Sequence, residues 1–411
     1  GGVMVNPTLP GCDLASTALA GVGVIFYVMR ALRAEVRQRD WFARRGIPEP
    51  NLAGVLDLVA LGTVADVVPL DHNNRILVDA GLRRIRAGRA RPGILALLEV
   101  AGRSRQQVVA ADLGFAVGPR LNAAGRLDDM SVGIECLLSE DGQRARLFAA
   151  QVLPLNQDRR AIERDMRAQV QVMLEALDFA RELPLAVTLY EPLWHQGVIG
   201  ILASRVKDHL HRPAIVFADA DDSGQHIKGS ARSIAGIHIR DVLDAVATRH
   251  PGLISKFGGH AMAAGLSLAR ARYEDFCIAF QQEVARHAEA VDLQAVVESD
   301  GELATVDFTV DSAAALRYAG PWGQQFPEPL FDGRFRVVSQ RIVGQHHLKL
   351  VLGLPGAGPD ACIDAIAFNV DSERWPDETV TEVEAAYRLD VNDFRGRQSV
   401  QLVIEWLRAA G

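Results

Sequence analysis

The sequence predicts an α/β protein made, in chain order, of a helix-rich segment, one long helix, a second α/β segment and a small C-terminal β-barrel. Three observations carry this. The chain has 411 residues, too many for one compact domain at ~100–200 residues each, so two to four domains are expected. Hydrophobic residues make up 49 % and charged residues 23 %, enough to bury sizeable cores and to exclude a disordered chain. The texture also changes twice, at residue 183 from helical stretches to strand–helix–strand, and after about 295 to short alternating apolar runs.

Residues 1–150 alternate helical stretches with short apolar runs and read as an α/β domain poor in complete strands. Ser16 or Thr17 is placed to cap a helix reaching about Gln38. Residues 51–61 read as an apolar helix ending near Gly62, with further helices from Asp71 to Arg86 and from Ile94 to Val100. In residues 151–180, Ile162, Met166, Val170, Met173 and Leu177 share one helical face, which predicts a long helix, either a connector between domains or an ordinary packed helix. In 181–290, LAVTLY (185–190) and PAIVFA (213–218) are short buried strands separated by a helix from Gly200 to Leu210. In 291–411 the runs at 334–343, 347–354, 365–370 and 399–407, separated by Gly, Pro and Asp, predict a small barrel.

The formal net charge of −7, from 44 Lys and Arg against 51 Asp and Glu, excludes a uniformly basic nucleic-acid coat but not a local basic groove. Cys12, Cys136, Cys277 and Cys362 are far apart and form no CxxC pair. That speaks against zinc, thioredoxin-type chemistry and a disulfide framework, and predicts a cytoplasmic protein. The longest apolar run, AGVGVIFYVM at 20–29, is short of the ~18–20 residues of a membrane span and is followed by Arg30 and Arg33. No secretory signal pattern precedes it, and the opening Gly1-Gly2-Val3 suggests a fragment of a longer protein.

Several stretches carry candidate chemistry. In LGTVADVVPL (61–70) an Asp sits in an apolar stretch after a Gly-Thr turn. A buried carboxylate needs a cation or several donors, so Asp66 is either a divalent-metal ligand or a helix cap or ion-pair partner, and one Asp makes no metal site alone. In GPRLNAAGRLDD (118–129), Arg120 and Arg126 flank Asn122 and an Ala-Ala-Gly segment. Small residues admit a ligand to the backbone and Arg forks match phosphate oxygens; the alternative is a tight loop with solvent-facing arginines.

In WHQGVIGILASR (194–205), His195 and two glycines precede a helix start, which aims backbone N–H groups at an anion unless His195 merely caps the helix. In KGSARS (228–233), Lys228, Ser230 and Arg232 alternate onto one strand face. KFGGHAMAAGLSL (256–268) reads as a Gly-Gly-His loop around His260. Together these three supply His, Ser, Arg and glycine backbone for a phosphate or nucleotide pocket. In the β-rich end, Trp322 and Phe326 in one loop, and Phe394, Arg395 and Arg397 in a turn before the last strand, match the aromatic-plus-Arg pattern of single-strand binding, or are core aromatics at strand ends.

These motifs, with NLAGVLDLVALGTVADVVPLDHNNR, DLGFAVGPRLNAAGRLDDMSVGIECLL and GPWGQQFPEPLFDG, occur in an order that resembles the RecJ family of bacterial single-strand-specific 5′→3′ exonucleases in the DHH phosphoesterase superfamily. The resemblance covers essentially the whole chain. It implies part of a DHH domain, a connecting helix, a DHHA1 domain and an OB-type barrel. It also implies Mn²⁺ or Mg²⁺ in a two-metal site and hydrolysis of single-stranded DNA to 5′-mononucleotides, in DNA repair and recombination. By the same resemblance Asp66 is a metal ligand and Arg126 and Arg120 contact the DNA backbone. Ser230 and Arg232 meet the 5′-phosphate, and His195 and His260 lie near the nucleotide. Single-stranded DNA is the implied partner, with a single-strand-binding protein or a helicase as recruiter, no membrane, and a monomer.

One departure stands out. The family's metal site also uses further aspartates and an Asp-His-His triplet, and the sequence contains no such triplet; His346-His347 follows Gln345 in the barrel. With Asp66 alone of the expected ligands, the chain reads as a RecJ-type fragment that does not catalyse. Two rival readings are a DHH–DHHA1 phosphodiesterase of short or cyclic nucleotides, which would lack the β-rich end, and a non-catalytic DNA-binding relative.

Overall fold

The computed structural model describes the chain except residues 1–4, 10, 13, 15, 128, 177–183, 222, 289–292, 345, 372–373, 395 and 411; for 126–127, 173–176 and 394 it describes the backbone alone. The described residues fall into two compact units. One comprises Gly1–Pro119, Ile134–Ala149 and Val297–Gly411, the other Arg120–Gly133 and Ala150–Val296.

Up to residue 176 the described elements are helices: α1 (Gly21–Gln38), α2 (Trp41–Arg45), α3 (Leu56–Ala65), α4 (His72–Arg86), α5 (Pro92–Val100) and the single turn α6 (Ala110–Asp112). A π-helical turn, Leu113–Val117, leads into α7 (Gly118–Leu127), then come α8 (Ser131–Leu138) and α9 (Gly142–Ala176). The expected α/β character of 1–150 is thus corrected to helical. Its short apolar runs are buried helix segments such as Ile94, Leu97 and Leu98 of α5, which periodicity does not separate from buried strands.

Helix boundaries follow local chemistry. Neither Ser16 nor Thr17 caps α1, which starts after Ala20 without a side-chain cap. The Ser16 hydroxyl instead donates to Asp71 Oδ2 at 2.5 Å, and Asp71 caps α4 by accepting from the Asn74 N–H at 2.8 Å. Helix α3 does not stop near Gly62 but runs to Ala65. Gly62 is where α1 comes close: a Cβ there would lie 2.7 Å from Val22 Cγ1.

The second unit holds a five-stranded sheet of order β1-β2-β3-β5-β4, with β1 (Val187–Tyr190), β2 (Ala214–Asp219), β3 (His226–Arg232), β4 (Lys256–Gly259) and β5 (Ala263–Ala269). The β1–β2 pair is parallel and the others antiparallel. Strand β2 is apolar on both faces. Ile215 and Phe217 pack with α11 (Ile239–Arg249) and α12 (Tyr273–Ala288). Ala214, Val216 and Ala218 pack with α10 (Ile199–Leu210) and with Met166 and Val170 of α9. Each large side chain so buried contributes about 1.5–3 kcal/mol. Of the stripe expected on the long helix, Ile162 joins Met166 and Val170 in this core, while Leu177 and the Met173 side chain lie outside the described residues.

In the first unit a closed barrel of order β10-β8-β7-β6-β9 is formed by β6 (Phe331–Val343), β7 (His347–Gly353), β8 (Cys362–Ala367), β9 (Glu382–Phe394) and β10 (Arg397–Ala409), with α13 (Val310–Ala319) before it. Its core stacks Phe308 on Tyr387 and sets Phe335 edge-on to both.

Candidate functional site

The Asp66 turn begins where α3 ends. Asp66 is the C-cap, its N–H donating to the Gly62 carbonyl at 3.0 Å. The carboxylate expected to be buried is exposed, so it needs no compensating cation or donors. The next residue, Val67, has φ 55° and is 64 % exposed. A β-branched residue in the left-handed region is strained, so the surrounding contacts must hold it there. Asn74, fully buried, donates to the Pro69 and Ala18 carbonyls at 2.8 and 2.9 Å, and the Leu70 N–H donates to the Gln324 carbonyl at 2.8 Å.

Gln324 belongs to the PWGQQF loop of the barrel segment. Gly323 and Phe326 exchange backbone hydrogen bonds of 2.8 and 3.0 Å, and a Cβ on Gly323 would stand 2.7 Å from Leu70 Cδ1. The Trp322 indole N–H donates to the Leu316 carbonyl at 2.9 Å and its ring stacks on Phe326, centroids 5.1 Å apart. The Arg75 guanidinium lies 3.9 Å from the Phe326 centroid. Trp322 and Phe326 are therefore engaged with their own chain in a clamp on the Asp66 turn. Arg75, Gly323 and Gln324 were not visible as partners in the sequence, because nothing there relates position 75 to 326. In the remaining barrel candidates, Arg397 is exposed and pairs with Phe394 across the β9–β10 hairpin. Arg395 and the Phe394 side chain lie outside the described residues.

The GPRLNAAGR stretch is helix α7, not a tight loop. Its small residues serve packing: Ala123 and Ala124 are fully buried, and Gly125 sits against Met130. Asn122 is exposed and Arg120 half-buried; Arg126 lies on α7 but its side chain is outside the described residues.

In the second unit, Lys228, Ser230 and Arg232 share one face of β3, as their alternation predicts. Arg232 Nε donates to Ser204 Oγ of α10 at 3.1 Å, and Nη1 donates to Ser230 Oγ at 3.0 Å and to the Ala231 carbonyl at 2.8 Å. Gly200 makes the room, since a Cβ there would sit 3.0 Å from both Arg232 Nη2 and Ser230 Oγ. A guanidinium and a hydroxyl thus meet the first turn of α10, the combination that favours an anion. Ser204 was missed in the sequence, though it stands one helical turn after Gly200.

His195 is exposed at the entry to α10, its Nδ1 accepting from the Gly197 N–H at 3.0 Å. Trp194 beside it is 4 % exposed and donates to Gln169 of α9 at 2.6 Å, fixing that entry. The Gly-Gly-His stretch is a β4–β5 hairpin and not a free loop: the His260 N–H donates to the Ala263 carbonyl at 2.8 Å, and Ala263 is the register partner of Arg232.

Residues 182–286 match the DHHA1 domain and residues 299–406 the RecJ OB domain. The chain is 59 % identical over 405 residues to the single-stranded-DNA-specific exonuclease RecJ of Dickeya dadantii, covering 98 % of this chain and 70 % of that protein. It is 54 % identical over 403 residues to the protein of the same name from Escherichia coli, covering 98 % and 69 %. The chain belongs to the RecJ family.

A solved structure of RecJ from Thermus thermophilus with Mn²⁺ superposes with TM-score 0.75 at 29 % identity, covering 97 % of this chain and 54 % of that one. A second, with Mg²⁺, gives 0.73 at 28 %, covering 97 % and 57 %. The fold is that of RecJ: a helical N-terminal part, the DHHA1 sheet and a five-stranded OB barrel. Both metals belong to those relatives. Among the described residues of this RecJ-family chain, no group of three or more His, Cys, Asp or Glu side chains is placed to hold a metal ion. The donors described here therefore do not fit a two-metal site. No helix among them is long and apolar enough to cross a membrane.

Proposed function

We propose that this chain is the strand-binding and phosphate-binding part of a single-stranded-DNA-specific 5′→3′ exonuclease that releases 5′-mononucleotides in DNA repair and recombination. Family membership sets the reaction class. The observation that carries the reading is the Arg232–Ser230–Ser204 cradle at the first turn of α10, a terminal-phosphate receptor in chemistry. In this reading His195 and His260 serve the nucleotide next to it, and Arg120, Asn122 and Arg126 of α7 contact the strand backbone. In the barrel, the proposed contacts are Trp322, Phe394, Arg395 and Arg397, and each phosphate neutralised on a single strand adds a salt slope of about −0.7. Division at about 150, 180 and 290 belongs to the same proposal.

Asp66 is the metal-ligand candidate, and among the described residues no group of three or more His, Cys, Asp or Glu is placed to hold a metal, so the 411-residue chain is expected not to hydrolyse DNA. With Mn²⁺ and a 5′-labelled single strand it should release no mononucleotide; robust release would overturn this. The binding reading is tested in chelator by fluorescence anisotropy with single strands carrying a 5′-phosphate or a 5′-hydroxyl. Tighter binding of the phosphorylated end is expected. Indifference to the end, or equal binding of duplex, would count against it.

A further inference from the structure

We infer that Lys228 and Lys256, with the open glycine backbone beside them, form a second anion subsite that takes the phosphate next to the one on Arg232 and Ser230. The strand register carries this. Lys228 of β3 pairs with Ser267 of β5, and Ser267 pairs with Lys256 of β4. Residues directly opposite in an antiparallel pair share a face, and Lys228 shares its face with Ser230 and Arg232 by alternation. The other face, with Ile227, Ala231, Leu266 and Leu268, is buried against α11 and α12. Both lysines therefore stand exposed on the α10 side of the sheet, flanking Ser267, with backbones about 10 Å apart. The sequence holds only four lysines, so meeting two of them in one row is not the scatter of an abundant residue. The other two, Lys207 and Lys349, are ion-paired; among the described residues neither Lys228 nor Lys256 is.

The next row of the same three strands is Ser230, Gly265 and Gly258. Both glycines are exposed. A Cβ on Gly258 would meet nothing within 4 Å, and one on Gly265 only the Gly229 carbonyl oxygen at 4.0 Å. Neither has the positive φ that requires glycine. Glycine weakens a strand interior, and where neither packing nor φ calls for it, it marks a close approach to the backbone from outside. The face beside Ser230 is thus a floor without side chains, rimmed by two ammonium groups on flexible four-carbon stems. Like charges this close repel, and an anion between them removes the repulsion. Lys228 lies two residues from Ser230, about 6.7 Å along the strand, so one ligand can span both rows. The occupant is a ligand with two neighbouring phosphates, the terminal one on Arg232 and Ser230 and the second over Ser267. That second phosphate is either the next one of a strand or the β-phosphate of a 5′-diphosphate end.

The inference rests on the reading of Arg232 and Ser230 as a terminal-phosphate cradle, and its test separates the two. The 411-residue chain is titrated by calorimetry in chelator with three probes: deoxyadenosine 5′-monophosphate, deoxyadenosine 5′-diphosphate and the 5′-phosphorylated deoxyadenosine dinucleotide. The second phosphate is expected to tighten binding about tenfold in at least one of the last two, the order of one charge-assisted hydrogen bond. Gain with the dinucleotide alone assigns the subsite to the next phosphate of a strand, and gain with the diphosphate to a polyphosphorylated end. Lys228→Ala and Lys256→Ala should each remove most of the gain and leave monophosphate binding unchanged, whereas Lys228→Arg and Lys256→Arg should keep it. Gly265→Val should lose the gain by raising a side chain on the floor. Circular dichroism melting of the lysine variants should match the parent, because both side chains are exposed. No gain from a second phosphate, or a gain that survives both lysine-to-alanine substitutions, would overturn the inference alone. Failure of the parent to bind any of the three probes would overturn the terminal-phosphate reading as well.

Discussion

Arg232 donates to Ser204 and Ser230 across the α10 face of the sheet, so its guanidinium is oriented before any anion arrives. Arg232→Ala and Ser230→Ala should each reduce the preference for a 5′-phosphate over a 5′-hydroxyl by about 1.5–3 kcal/mol, the size of one charge-assisted hydrogen bond. Anisotropy on both ends reads this; equal losses on both would place the two residues on internal phosphates. The cysteines give a second residue-scale test. Burial pushes the Cys136 thiol up to about 11, and Cys136 is fully buried while Cys12 and Cys362 are exposed. The thiolate is the reactive form, so at pH 8 a thiol reagent should label Cys12 and Cys362 and spare Cys136 until denaturant is added. Labelling of Cys136 in the folded chain would contradict the packing of α8.

The element that the structure adds is the clamp between the PWGQQF loop and the Asp66 turn. Phe326 gains a stacked ring and a cation, worth about 0.5–1.5 and 0.5–1 kcal/mol beyond its area. Phe326→Ala should therefore destabilise the chain by about 2 kcal/mol in urea denaturation. It should also raise hydrogen exchange at the Leu70 amide, whose acceptor is the Gln324 carbonyl. Loss of stability with an unchanged Leu70 amide would make the loop a local cap without hold on the turn. Gly323→Ala should act in the same direction, because its Cβ meets Leu70.

For the whole molecule, tyrosines set the alkaline limit. Burial raises the Tyr387 and Tyr273 hydroxyls, and burial with the neighbouring Asp219 raises Tyr190 to about 12. An unfolded tyrosine ionises near ~10. The folded state thus favours the neutral form; its stability is full below pH ~10 and is lost as pH rises through the folded values. Urea midpoints should hold steady from neutrality to pH ~10 and fall above it; a flat profile to pH ~12 would contradict the burial of these rings. The sequence by itself determined what periodicity and chemistry write locally. The Asp71-capped helix, the β2 run, the alternation that puts Lys228, Ser230 and Arg232 on one face, and the order of motifs were all legible there. It also fixed the donor inventory, since a missing Asp-His-His triplet is a matter of composition and order. It misread residues 1–150, because a short apolar run is buried equally well as helix or as strand, and it gave no sign of β9 or α13. Only the tertiary structure decided that Asp66 is exposed, that Ala123 and Ala124 fill a core, that Ser204 meets Arg232, and that Phe326 faces Arg75. These depend on which distant surfaces meet, and contacts between positions hundreds of residues apart leave no periodic trace in a single chain.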